Sequence, residues 1–145
     1  TSPRPPRPEI ISRNTAIAEK IRERGFRGLS PAGVRKSLHP DLRGDDAMVQ
    51  EVLDMALRLG GETFINQLVL QRPDGRADLA AITCPALVIW SRQDELRSLD
   101  EAREMADGIP GAKLEIIEDA GHMTPMEAPE ASLALIRDWI SENGL

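Results

Sequence analysis

The sequence predicts an α/β chain in which a helical region is followed by a β-α-β-α unit with parallel strands. Three observations carry this. Residues before Gly75 place apolar side chains at helical spacing and include no convincing strand. Ala86-Leu87-Val88-Ile89-Trp90 is a continuous apolar run after Pro85, the pattern of a parallel strand buried on both faces. A single helix separates it from a second strand, Lys113 to Glu118, and a strand-helix-strand connection of this kind makes the strands parallel with a right-handed crossover.

Each element has its own signal. Pro3-Arg4-Pro5-Pro6-Arg7-Pro8 lacks amide donors and reads as an extended connector over residues 1–8. From Glu9 to Arg24, Ile10, Ile17 and Ile21 recur among charges, and Gly25 stops the helix. Ser30-Pro31 is an N-cap with proline at the first helical position, opening a short helix that ends before His39-Pro40. Asp45 and Asp46 start a helix that sets Val49, Val52, Leu53, Ala56 and Leu59 on one face, closed by Gly60-Gly61. A further helix carries Phe64, Ile65, Leu68 and Val69, and Arg72-Pro73-Asp74-Gly75 is a turn.

Beyond the first strand, Ser98-Leu99-Asp100-Glu101 matches a capping box, opening a helix with Ala102, Met105 and Ala106 inward. In the second strand Leu114 and Ile116 alternate with Lys113 and Glu115. A loop from Asp119 to Ala128 leads to a last helix, with Pro129 near its start and Leu133, Ile136, Trp139 and Ile140 facing inward. The domain reading is therefore a connector at 1–8, a helical region at 9–75 and an α/β region at 76–145.

Composition narrows the function. Apolar content of 41% over 145 residues supports a core. A net charge of −6, 3% aromatics and no Tyr argue against nucleic acid as a partner. Cys84 is the lone cysteine, sits beside the apolar run, and reads as a small core residue in a reducing, cytoplasmic setting. The run Pro85 to Trp90 is too short to cross a bilayer and the start shows no leader, so no membrane role is expected. No cofactor and no metal is expected.

In an open α/β sheet, catalytic groups gather at the carboxyl ends of the strands. Asp94 lies four residues past Trp90, and His122 four past Glu118. Neighbouring strands about 4.8 Å apart bring such side chains within hydrogen-bonding range. A carboxylate holding an imidazole is the orienting half of a nucleophilic triad. Asp119 reads as a partner of loop amides, and His39 as a helix-end residue favoured by the dipole. Cys84 sits at the opposite end of the strand from Asp94 and His122, which disfavours it as a nucleophile. Met48, Phe64 and Met123 are candidate pocket residues, Met123 because it adjoins His122. Glu127 reads as a capping carboxylate for the last helix and a brace for the histidine loop.

The segment Ile82-Thr83-Cys84-Pro85-Ala86-Leu87-Val88-Ile89-Trp90-Ser91-Arg92-Gln93-Asp94 resembles the strand-plus-acid motif of α/β-hydrolases. Ala120-Gly121-His122 with Glu127-Ala128-Pro129-Glu130 resembles their histidine motif, and Ile109-Pro110-Gly111-Ala112-Lys113-Leu114 fits between them. The family orders its triad as nucleophile, acid, histidine. The resemblance implies that the helical region is the family's cap, that the rest is the C-terminal portion of its core, and that Asp94 and His122 are acid and base. It further implies hydrolysis of a small ester, lactone or similar acyl substrate.

The sequence departs from the family pattern at Ser91, where glycine is usual, and near Ser98, where proline is usual. It also contains no Gly-x-Ser-x-Gly: Gly28-Leu29-Ser30-Pro31-Ala32 lacks the second glycine. The nucleophile and oxyanion loop are expected before Thr1 in a longer parent, leaving this segment inert by itself. The alternative is a truncated, non-catalytic binding or dimerisation module. Either way the exposed sheet edge beside the first strand is expected to meet a missing N-terminal half or a second copy.

Overall fold

A computed structural model describes residues 2–145, so Thr1 of the expected connector lies outside the described residues. The helices are α1 (Pro8–Arg24), α2 (Pro31–Ser37), α3 (Asp46–Leu59), α4 (Gly61–Val69), α5 (Leu99–Gly108), α6 (Thr124–Glu127) and α7 (Pro129–Glu142). Two strands, β1 (Leu87–Ser91) and β2 (Lys113–Ile117), pair in parallel, with Leu87 opposite Lys113 and Ser91 opposite Ile117. Short 3-10 turns cover Pro40–Leu42 and Arg76–Ala81; the second begins just after residues 72–75, where the predicted turn is irregular backbone instead.

The capping chemistry reads directly from the residues. Ser30 accepts the amide of Gly33, and Asp45 that of Met48. At α5 the capping box is reciprocal: Ser98 accepts from the Glu101 amide and Glu101 accepts from the Ser98 amide. Ser98→Ala is therefore expected to cost about 1 kcal/mol. A lowered denaturant midpoint with an unchanged slope would register it, and an unchanged midpoint would show that the box is idle.

Two clusters form the core. Val34, Leu38, Val49 and Val52 join α2 to α3, with Leu29, Leu42, Met48, Leu53, Met123 and Met126 packed around them. Val88, Trp90 and Ala102 join β1 to α5, with Met105, Leu114 and Ile116 alongside. Trp90 donates its indole N–H to the Arg97 carbonyl at 2.9 Å, which satisfies its polar edge. The connector is anchored where the Gly75 amide donates to the Pro3 carbonyl.

Several expectations are corrected. On β1 only Val88, Trp90 and Ser91 are buried; Val88 and Trp90 pack against α5, while Leu87 and Ile89, on the opposite face, stay partly open. Cys84 is exposed rather than part of the core, since it precedes β1 and lies outside both buried clusters. On α7, Leu133, Ile136 and Ile140 are 56%, 40% and 37% exposed, and only Ser132 is buried. No described element covers enough of that face. On α1 the buried residue is Ala18 rather than Ile17, and Leu59 of α3 is exposed. The histidine loop contains a helical turn, α6, opened by Pro125 near its start.

Candidate active site

The strand ends do what their register dictates. Ser91 closes β1, its carbonyl accepts the Asp94 amide, and the Gln93 amide donates to Ala120. The acid loop is thereby tied to the segment leaving β2. Asp94 Oδ1 accepts the amides of Leu96 and Arg97 at 2.7 and 2.9 Å, which fixes the carboxylate. Its other oxygen, Oδ2, stands 2.9 Å from His122 Nδ1. A carboxylate only accepts, so Nδ1 donates and the neutral ring presents a free lone pair at Nε2. The Asp94 side chain is 9% exposed and that of His122 34%, so the acid is shielded and the imidazole reachable.

The histidine loop is held by the α2–α3 connection. The His122 amide donates to the Ser37 carbonyl at 2.7 Å. Glu127 accepts three amides: His39 at 2.5 Å, Gly121 at 3.1 Å and Met123 at 2.8 Å. The reading of Glu127 as a brace matches this contact, but it caps α6 rather than the last helix. A Cβ on Gly121 would sit 2.6 Å from the His39 nitrogen and 2.7 Å from the Leu38 carbonyl carbon. Glycine is required there for close approach rather than for its dihedral freedom.

A cavity of about 120 Å³ adjoins the pair, lined among others by Trp90, Ser91, Asp94, His122 and Thr124. Its hydroxyls are engaged. Ser91 and Thr124 share a hydrogen bond at 2.7 Å, Thr124 also reaches the Gly121 carbonyl, and Ser98 caps α5. Met48 and Met123 pack against the α2–α3 core, whereas Phe64 stacks on Phe26 with ring centroids 5.1 Å apart. None of the three lines the cavity beside Asp94 and His122. His39 follows the C-terminal end of α2, and its Nδ1 accepts the Asp41 amide and caps the 3-10 turn. Among the described residues no three His, Cys, Asp or Glu side chains gather as a metal site, and no helix is long and apolar enough to cross a membrane.

Sequence reasoning missed the reach of Glu127 to His39. The only local signal was its spacing from His122, and nothing in that spacing points to a residue in the helical half.

Known proteins resemble this chain in sequence and in fold. Residues 2–135 match the family described as "Alpha/beta hydrolase family". A Xenopus laevis monoacylglycerol lipase is 30% identical over 100 residues, covering 63% of this chain and 30% of the lipase. An esterase structure from Thermogutta terrifontis superposes with a TM-score of 0.85 at 29% identity, over 96% of this chain and 52% of the esterase. The fold is shared with an enol-lactonase from Burkholderia xenovorans, at a TM-score of 0.82 and 24% identity, covering 97% of this chain and 54% of the lactonase. The chain thus spans about half of these solved structures and less than a third of the lipase.

Proposed function

This chain belongs to the alpha/beta hydrolase family, and from that premise we propose that it supplies the acid and base of a hydrolytic triad acting on a small ester, lactone or similar acyl substrate. The observation that carries the reading is the 2.9 Å contact between His122 Nδ1 and a shielded Asp94, with Nε2 left free. Residues 9–75 act as the cap and residues 76–145 as the rear of the core.

In this mechanism a serine from outside these 145 residues attacks the acyl carbon while Nε2 of His122 takes its proton. The same nitrogen returns that proton to the departing alkoxide, and water then repeats the exchange on the acyl-enzyme. Asp94 keeps the proton on Nδ1 and stabilises the imidazolium. Ser91, Ser98 and Thr124 are poor substitutes for that serine, since each hydroxyl is committed to a structural partner.

The 145-residue chain alone is expected to leave p-nitrophenyl acetate at the buffer rate. Enzymatic turnover that disappears in His122→Ala would overturn the requirement for an outside serine. Joined to the front half of the Thermogutta terrifontis esterase, the chain is expected to hydrolyse that ester, and Asp94→Asn to lower kcat by about 10⁴-fold. An active fusion indifferent to His122→Ala would remove both residues from the mechanism.

The exposed Leu133, Ile136 and Ile140 favour a second reading, in which the chain is a binding or dimerisation module whose apolar face and β1 edge meet a second copy. Sedimentation separates the two: a stable dimer with no gain of activity in the fusion supports the module.

A further inference from the structure

A second cavity, about 820 Å³, adjoins the one beside His122 and shares Asp94, Arg97 and Ser98 with it. It is within the range of small-molecule sites. Its walls are the Ser2–Arg7 segment, Ile10 and Arg13 of α1, Arg72 after α4, and the loop from Asp94 to Ser98 with Glu101. The loop that fixes Asp94 against His122 is therefore also a wall of this cavity.

Sorting the charges around it leaves an imbalance. Each carboxylate on its wall already has donors: Asp94 holds His122, Glu95 holds Arg43 at 2.6 Å, and Glu101 holds the Ser98 amide and Arg97. Arg4 is taken by Glu104 at 2.6 Å. Arg7, Arg13 and Arg72 have no carboxylate within ion-pair distance among the described residues. Three guanidinium groups without a carboxylate partner therefore line one cavity whose own carboxylates are all engaged. Guanidinium is always charged, weakly hydrated, and shaped to take a carboxylate through two parallel N–H bonds. Pro5, Pro6, Ile10 and Leu96 add apolar wall beside them.

We propose that this cavity is an anion subsite that takes a carboxylate at the far end of the acyl substrate, through Arg7, Arg13 and Arg72. The assignment rests on the hydrolase function proposed for Asp94 and His122 and narrows it to substrates such as the half-ester of a short dicarboxylic acid. The apolar wall accommodates the hydrocarbon between the carboxylate and the ester. A phosphate, more strongly hydrated and without that arm, has less to gain from it.

Titration of the full 145-residue chain, followed by amide resonances, tests this without any turnover. Monomethyl glutarate is expected to shift the Arg7, Arg72 and Leu96 amides saturably, and dimethyl glutarate to bind at least about tenfold more weakly. The combined variant Arg7→Gln, Arg13→Gln, Arg72→Gln should lose the half-ester preference while keeping its melting temperature, since these side chains are exposed. Arg72→Gln alone gives a milder version should the combination perturb the fold. Equal binding of half-ester and diester, or a preference that survives the substitutions, overturns the subsite. Inorganic phosphate binding as tightly as the half-ester overturns the carboxylate assignment. Because the readout is binding, a subsite that binds as expected beside an inactive fusion would sink the hydrolase reading alone. An active fusion with no half-ester preference would sink the subsite alone.

Discussion

Replacing Gly121 by valine is expected to lower the melting temperature of this chain by about 10 °C, an effect of roughly 3 kcal/mol. The cause is the site the first substituent would occupy. A Cβ at Gly121 lies 2.6 Å from the His39 nitrogen, 2.7 Å from the Leu38 carbonyl carbon and 2.8 Å from the Ser37 oxygen. All three are backbone atoms, so no side-chain rotation relieves the overlap. The Ser37 oxygen is held by the His122 amide and the His39 nitrogen by Glu127, while the Leu38 side chain is fully buried. The histidine loop and the α2–α3 connection must separate, which takes His122 away from Asp94. Gly121→Ala should show the smaller part of the same loss. A valine variant melting within about 2 °C of the parent would mean that the two segments yield without cost.

That close approach also marks where sequence stops being informative. Local elements were legible because their causes are local: the Ser98-to-Glu101 spacing closes a capping box, and Pro31 after Ser30 starts α2. The meeting of Asp94 and His122 was legible for a related reason. Two adjacent parallel strands in matched register deliver the residues just past their ends to one place. The contacts of Gly121 with residues 37–39, and of Glu127 with His39, join positions more than eighty apart, and no periodicity encodes them.

The face of α7 shows the opposite limit. The spacing of Leu133, Ile136 and Ile140 says that this face is suited to burial, and the structure leaves it open. Apolar periodicity reports a preference for leaving water and carries no information on which chain supplies the cover. The same holds for β1: the apolar run reads as a strand buried on both faces, yet Leu87 and Ile89 are only partly covered.

The second large effect is expected at Glu127, where Glu127→Ala should cost about 3 kcal/mol, from three amides each losing a charged acceptor. The donors come from His39 in the helical half and from Gly121 and Met123 on either side of His122. One carboxylate therefore sets both the backbone flanking the imidazole and its distance from the α2–α3 connection. Glu127→Gln should fall between, because one amide oxygen still accepts while its NH₂ faces donors. The proposed function gives this loss a second readout. The His122 Nδ1 proton, shielded from exchange by Asp94 in the parent, should exchange faster in Glu127→Ala while the β1 and β2 amides keep their protection. Parent-like exchange at Nδ1 together with a full stability loss would restrict Glu127 to holding the fold. Because Gly121 and Glu127 act on the same junction, Gly121→Ala and Glu127→Ala together should cost less than the sum of the two, by more than about 0.5 kcal/mol. Strict additivity would show that the close approach and the carboxylate brace hold the loop independently.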